Sequence, residues 1–202
     1  MMALPPVREL LAAHGIRADK RLGQHFLFDL NLTARIVRAA GDVTKGTTIE
    51  IGPGPGGLTR ALLDAGATVV AVERDQRLRP VLDAIGAAYP GRLTVVWGDA
   101  LAMDVAALGA SPRRIVANLP YNVGTELLLG WLARVDAFAS LTLMFQNEVA
   151  DRLVAAPGSK TYGRLSVLAQ WLCEVRKLFT VTAAAFVPPP QVDSAVVQLV
   201  PR

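Results

Sequence analysis

The stretch TTIEIGPGPGGLTRALLDAG, Thr47 to Gly66, decides the fold. A short β-branched apolar run breaks at a loop of Gly and Pro, and a pattern with helical spacing follows at once. Strand, tight glycine turn and helix form the opening unit of a parallel α/β layer, where each strand delivers the chain into a helix. The alternation continues downstream. TVVAVE, LTVVWGD, RIVAN, SLTLMFQ and, after KLFTV, SAVVQLV read as strands. DQRLRPVLDAIGAAY, TELLLGWLAR, NEVADRLVAA and GRLSVLAQWLC read as helices. This order predicts a doubly wound, mostly parallel sheet, and the crowding of the last strands predicts an antiparallel edge strand. Ahead of Thr47 two shorter helices are expected. PPVRELLAAHGI stops at Gly15, and LTARIVRAAG is capped by Asp29 or Asn31 and ends at Gly41. The basic loop RADKRLGQHFL joins them.

Composition narrows the classes of function. The 202 residues suffice for one domain with a full core. Hydrophobic residues make up 52% and aromatics only 6%, so Ala, Val and Leu must fill that core, as in strands buried on both faces. No apolar run approaches the ~20 residues of a bilayer span. MMALPPVREL lacks the basic-then-apolar order of a signal peptide, so a cytoplasmic protein that avoids membranes is expected. Cys173 is the only cysteine, and His14 and His25 are the only histidines. An internal disulfide is therefore impossible and a dedicated metal site is not expected. The net charge of +4 permits a polyanionic partner without requiring one.

Ligands of doubly wound sheets bind beyond the carboxyl ends of the strands, so the strand exits carry the information. Gly52, Gly54 and Gly57 satisfy G-x-G-x-x-G, which lets a backbone approach a nucleotide closely, although a Gly/Pro-rich loop is also an ordinary strand-to-helix connection. Two details turn the reading away from phosphate. Pro53 and Pro55 have no N–H to offer, and no Lys-Ser or Lys-Thr pair closes a P-loop. The surroundings are acidic: Glu50 within the first strand of the unit, Glu73 ending the second and Asp99 ending the third. Glu73 has the spacing of a carboxylate that takes ribose hydroxyls, and Asp99 is placed to accept from an adenine amino group. Each acid alone could be a helix cap or a solvated strand end. Together they suit a ligand with ribose, adenine and a positive centre but no phosphate, a description that S-adenosylmethionine meets.

The fourth exit, Asn118-Leu119-Pro120-Tyr121, matches the (Asn/Asp/Ser)-(Pro/Leu)-Pro-(Tyr/Phe) pattern of methyltransferases acting on exocyclic amino groups of bases. An adenine N6 lone pair is delocalised into the ring. Hydrogen bonds from N6–H to the Asn118 side-chain oxygen and the Leu119 carbonyl would favour a pyramidal nitrogen. Pro120 keeps the turn rigid, and Tyr121 offers a ring for an extruded base. Asn122 has no role beyond closing the turn.

GQHFLFDLNL, EIGPGPGGLT, NLPYNVGTELL, MFQNEVADRLVA, YGRLSVLAQ and FVPPPQVDSAVV occur together and in order, and the whole chain resembles the ribosomal RNA adenine-N6 dimethyltransferase family of the bacterial small-subunit type. The resemblance implies a Rossmann-like class I fold that uses S-adenosylmethionine. It also implies dimethylation of two adjacent adenosines near the 3′ end of small-subunit (16S) rRNA during ribosome biogenesis. It places His25 (where the family commonly has Asn), Leu27, Gly52, Glu73, Asp99 and Asn118 at the cofactor. Asn118, Leu119, Pro120 and Tyr121 then fall at the target base, with Phe186 as the aromatic sandwiching that base opposite Tyr121. Arg17, Lys20 and Arg21, with Lys160 and Arg164 in APGSKTYGR, are the basic residues expected to meet RNA. Residues 1–46 form an N-terminal helical segment and contacting loop, and residues 47–202 a catalytic domain. The family's small helical C-terminal domain is absent, so this chain is expected to keep its cofactor but to dock the ribosomal particle weakly; a monomer is expected. The alternatives are a large-subunit rRNA adenine methyltransferase of the macrolide-resistance type, an NAD-dependent oxidoreductase suggested by the glycine pattern, and a non-catalytic RNA-binding assembly factor.

Overall fold

The structure, a computed structural model, describes residues 3–202, so Met1 and Met2 of the opening segment lie outside the described residues. Two helices precede the sheet: α1 (Val7–Ala13) and, after a 3-10 turn at Lys20–Leu22 and a two-residue strand β1 (Phe26–Leu27), α2 (Leu30–Ala39). Asp29 is the cap of α2, its carboxylate accepting the Asn31 and Leu32 N–H groups at 2.9 and 3.1 Å. Then come β2 (Thr47–Ile51), α3 (Gly57–Asp64), β3 (Val69–Glu73), α4 (Arg79–Ala88), β4 (Leu93–Trp97) and β5 (Arg113–Asn118). The second half runs α5 (Gly124–Leu132), β6 (Ser140–Gln146), α6 (Asn147–Leu153), α7 (Arg164–Leu172), β7 (Cys173–Val181), β8 (Phe186–Val187) and β9 (Ser194–Pro201).

Seven strands form one sheet in the order β4-β3-β2-β5-β6-β9-β7, and β1 pairs with β8 in a separate ladder. β2, β3, β4, β5 and β6 are parallel. The expected antiparallel strand is β9, but it lies one place in from the edge, antiparallel to both β6 and β7. β7 takes the edge, a position the spacing of the late strands could not assign. Side chains alternate across the sheet and supply two cores. Val116 of β5 and Met144 of β6 meet residues of α1 to α4 on one face. Ile115 and Ala117, with Leu141, Leu143 and Phe145, meet α5, α6 and α7 on the other. The N-terminal helices share the first core with α3 and α4 through Leu10, Leu11, Ile36 and Val37. Among the described residues no helix is long and apolar enough to cross a membrane.

The order of strands reverses between β2 and β5, whose neighbours run outward in opposite directions, and the carboxyl ends of these two strands open a crevice. The chain covers one side of it by laying β1 across the start of α3. Gly57 is required there, because a Cβ would stand 2.5 Å from the Leu27 carbonyl oxygen. Gly57→Ala is expected to lower unfolding stability by about 1–3 kcal/mol, the usual cost of overpacking. An unchanged urea midpoint would show that β1 moves aside freely.

Candidate active site

The crevice is a cleft of about 900 Å3, counting its open mouth. Its lining comes from the loop before β1 (Leu22 to Leu27), the β2 exit (Gly52, Gly54), the β3 exit (Glu73, Arg74), the β4 exit (Gly98 to Ala100) and the β5 exit (Asn118 to Val123). His25, Leu27, Gly52, Glu73, Asp99, Asn118, Leu119, Pro120 and Tyr121 are thus brought together from five places in the chain.

The glycine loop is not a phosphate cradle. Gly52 N–H is bound to the Val72 carbonyl and Gly56 N–H to the Pro53 carbonyl, at 2.9 and 3.0 Å. Gly54 N–H donates to Glu73 Oε2 at 3.1 Å, and Pro53 and Pro55 have no N–H. From 52 to 56 no donor is left for a pyrophosphate. What the loop offers is space. Gly52 has φ +66°, and a Cβ there would meet only Pro120 Cδ at 3.9 Å, filling the gap between the loop and the Asn118–Tyr121 turn.

Glu73 is buried at the end of β3, its Oε1 accepting Asp75 N–H at 2.8 Å and its Oε2 the Gly54 N–H. Burial raises its carboxyl above the ordinary range, and these backbone donors pull it back. Each oxygen keeps a lone pair for a diol facing the cleft. Asp99 does two things: Oδ1 caps the following 3-10 turn through Leu101 N–H at 3.0 Å, and Oδ2 lies 4.0 Å from the Arg74 guanidinium. Glu50 corrects the picture of three acids around a ligand. It is 1% exposed and does not line the cleft, because β2 turns it beneath the glycine loop, where it accepts the Thr59 hydroxyl at 2.6 Å. The two carboxylates at the cleft, Glu73 and Asp99, and a donor-poor loop suit a cationic nucleoside without phosphate, the chemistry of S-adenosylmethionine.

Asn118 closes β5. Its Nδ2 donates to the His25 carbonyl at 3.4 Å, and since a carbonyl can only accept, the amide nitrogen is the atom facing that loop and Oδ1 is free for a donor. The Tyr121 hydroxyl is hydrogen-bonded to the buried Ser194 on β9, and burial raises its phenol above the ordinary value, with the Ser194 bond opposing. Asn122 packs on Gly23, where a Cβ would come within 3.1 Å of its Oδ1, so it joins the turn to the β1 loop.

Phe186, expected to sandwich the base opposite Tyr121, is not among the residues that line the cleft. It is 1% exposed in the core with Phe26 and Leu27, because β8 pairs with β1 and places Phe186 opposite Leu27. The ring that does face Tyr121 is His25, with centroids 5.6 Å apart. Arg17, Lys20 and Arg21 are exposed beside the cleft-lining Leu22, with Arg21 paired to Asp19 at 3.0 Å. Lys160 and Arg164 are exposed but do not line the cleft.

Sequence reading missed three contributors. Gln24 donates to Asp75 at 2.8 Å and ties the β1 loop to the β3 exit. Arg74 enters the cleft beside Asp99, and Ser194 anchors Tyr121. Gln24 and Ser194 lie inside the quoted motifs GQHFL and VDSAVV, but nothing in their spacing says what they hold.

The sequence model of the family described as "Ribosomal RNA adenine dimethylase" matches residues 15–202. The "Ribosomal RNA small subunit methyltransferase A" of Paramagnetospirillum magneticum is 65% identical over 203 residues, covering 100% of this chain and 72% of that protein. Among solved structures, a dimethyladenosine transferase from Plasmodium falciparum superposes with a TM-score of 0.79 at 30% identity, over 88% of this chain and 64% of that one. The 23S rRNA methyltransferase ErmE does so with a TM-score of 0.77 at 30% identity, over 88% and 70%. The chain therefore spans about two thirds to three quarters of the length of these proteins.

Burial pushes the Glu50 carboxyl up to about 8, against the Thr59 hydrogen bond and with nearby Glu73 adding to the rise. The folded chain thus keeps a proton that the unfolded chain releases near 4.5. The sign follows: this stability is fully present below that value and is lost as pH rises through 8. Glu50→Gln is expected to remove this component, so the difference in melting temperature between variant and wild type should shift in the variant's favour from acid to mildly alkaline pH. A difference independent of pH would show that Glu50 ionises freely in the folded protein.

Proposed function

The chain belongs to the ribosomal RNA adenine dimethylase family, and from that premise we propose that it catalyses S-adenosylmethionine-dependent N6,N6-dimethylation of two adjacent adenosines near the 3′ end of small-subunit rRNA. The observation that carries this reading is the pairing across the crevice. Gly52 leaves room at the β2 exit, and Asn118, anchored through Nδ2, turns a free oxygen to the same space from the β5 exit.

The class I fold uses S-adenosylmethionine, which when bound supplies an electrophilic methyl group. Glu73 would hold the ribose hydroxyls, Asp99 the adenine amino group, and Leu27, Gly52 and the His25 segment would border the rest. Asn118 Oδ1 and the Leu119 carbonyl accept the two N6–H bonds of the target adenine, which localises the nitrogen lone pair. Tyr121, its hydroxyl held by Ser194, presents a ring for the base. Pro120 fixes the turn between them. No strong base is needed, because the N6 proton becomes acidic once the nitrogen carries the methyl group and leaves to water. Catalysis then rests on position and electrostatics. The loop within residues 1–46 would face RNA, and residues 47–202 would carry the transfer, in a cytoplasmic monomer whose one chain supplies the whole cleft.

The large-subunit alternative has 30% identity to ErmE against 65% to the small-subunit relative, and the oxidoreductase alternative fails on the donor-poor glycine loop. Incubation with methyl-labelled S-adenosylmethionine and undermethylated small-subunit particles, followed by mapping, should place label on two neighbouring adenosines. Cofactor binding with no label would favour a non-catalytic assembly factor. Asn118→Ala is expected to abolish transfer while keeping cofactor affinity within about tenfold, the scale of one lost polar contact; wild-type turnover would remove its role. Replacing Arg17, Lys20 and Arg21 together by Ala should weaken RNA binding and flatten its salt dependence, and an unchanged salt slope would free that cluster from RNA.

A further inference from the structure

Among the described residues, the hydrogen bonds that tie residues 17–24 to the rest of the chain all end on Asp75 and Arg77, just past β3. Asp75 is buried and both of its oxygens are used. Oδ1 accepts Arg77 Nε at 2.9 Å, and Oδ2 accepts Arg77 Nη2 at 2.6 Å and Gln24 Nε2 at 2.8 Å. The guanidinium set by this fork donates from Nη1 to the Arg17 carbonyl at 3.2 Å and from Nη2 to Gln24 Oε1 at 3.4 Å. The loop is also closed on itself. Gln24 Oε1 takes the Asp19 N–H at 2.8 Å, and the Asp19 carbonyl takes the Gln24 N–H at 3.3 Å.

Arg17, Lys20 and Arg21 are exposed on this closed loop, while Leu22, Gly23 and Gln24 line the cleft. We propose that the Asp75–Arg77 pair is a clasp that presets residues 17–24, so that the three cations meet the RNA backbone in one arrangement. Asp75 and Arg77 are then positioning residues for substrate binding. The inference rests on the RNA-methylating reading above.

The chemistry of the pair fits that role better than a ligand site or a stabilising bridge. Neither residue lines the cleft. Arg77 is half-exposed, so solvent screens the pair and its net contribution to stability is small. Its geometry is what counts: a planar guanidinium gripped on two N–H groups by a carboxylate has little freedom left, and its other donors point in fixed directions. A lysine at position 77 would keep the charge and lose that fork. A loop held in advance also loses less freedom when a partner binds, so more of the attraction to phosphate appears as affinity.

The position of Asp75 gives a test by sign. An acid close to a polyanion site repels the polyanion, so neutralising it would ordinarily tighten RNA binding. Asp75→Asn keeps the size and the backbone N–H that serves Glu73, but exchanges one acceptor oxygen for a donor. Arg77→Lys keeps the positive charge and removes the fork. Both variants of the whole chain are compared with wild type for kcat and KM on undermethylated small-subunit particles and for S-adenosylmethionine affinity by calorimetry. Limited trypsin cleavage after Arg17, Lys20 and Arg21 is followed without RNA.

Each variant is expected to raise KM on the order of tenfold, the effect of one or two lost charge-assisted hydrogen bonds. Values of kcat and cofactor affinity should stay within about twofold, and the double variant should be no worse than the singles, because one clasp is broken once. Cleavage within the loop should speed up by a similar factor while cleavage elsewhere does not. A lower or unchanged KM in Asp75→Asn would overturn the inference, and so would a wild-type KM in Arg77→Lys. Faster loop cleavage at unchanged KM would overturn it too, as would a rise in KM matched by equal weakening of cofactor binding. If either variant fails to fold, the other carries the same comparison. A wild-type chain that labels no adenosine would sink the functional reading and this inference with it, whereas normal wild-type labelling with unaffected variants would sink this inference alone.

Discussion

The hydrogen bond from Gly54 N–H to Glu73 is the contact on which the site depends. It takes the donor that a glycine loop after a first strand would otherwise turn to a phosphate, and it ties the β2 exit to the β3 exit. The other donors of the loop are used by Val72 and Pro53 or are missing in proline. The loop is left as a shaped gap bounded by a buried carboxylate. That combination selects a ligand with hydroxyls and positive charge over one with a pyrophosphate. A Gly-rich pattern alone does not make that choice, because the pattern describes where the backbone is thin and not where its N–H groups point.

The second constraint is the closure of the cleft by the segment before β1. Gln24 reaches Asp75 beyond β3, Asn118 of β5 reaches the His25 carbonyl, and Asn122 packs on Gly23. Each of the two hydrogen bonds contributes only about 1 kcal/mol. With the Asn122 contact they join the β3 and β5 exits to one loop, and the Gly54–Glu73 bond adds the glycine turn to the same connected set. This explains how a turn that accepts N6–H bonds can be built from so few residues: Asn118 is oriented by a backbone carbonyl far away in sequence, and Tyr121 by a serine from the last strand.

Much of this was legible in the residue order. Thr47 to Gly66 forms the strand, turn and helix that its pattern implies, Asp29 caps α2, and the informative side chains lie at the strand exits. The placements that the residue order does not give share one cause. Glu50 and Phe186 are residues of functional type in functional motifs, and strand pairing turns both side chains inward, Glu50 under the glycine loop and Phe186 against β1. The place of β9 inside the sheet was equally hidden, since the spacing of strands says when they occur and not which neighbour they choose.

The sequence by itself determined the α/β alternation, the proline-broken glycine loop, the acids at successive exits and the Asn118–Tyr121 turn. These are local matters of side-chain period, backbone freedom and missing N–H groups. Only the tertiary structure decided which of those groups share one cleft, which acid is turned away from it, and which ring faces Tyr121. Those outcomes depend on pairings between residues far apart in the chain, Phe26 with Val187 or Gly54 with Glu73, and no local pattern encodes the direction in which such a pairing turns a side chain.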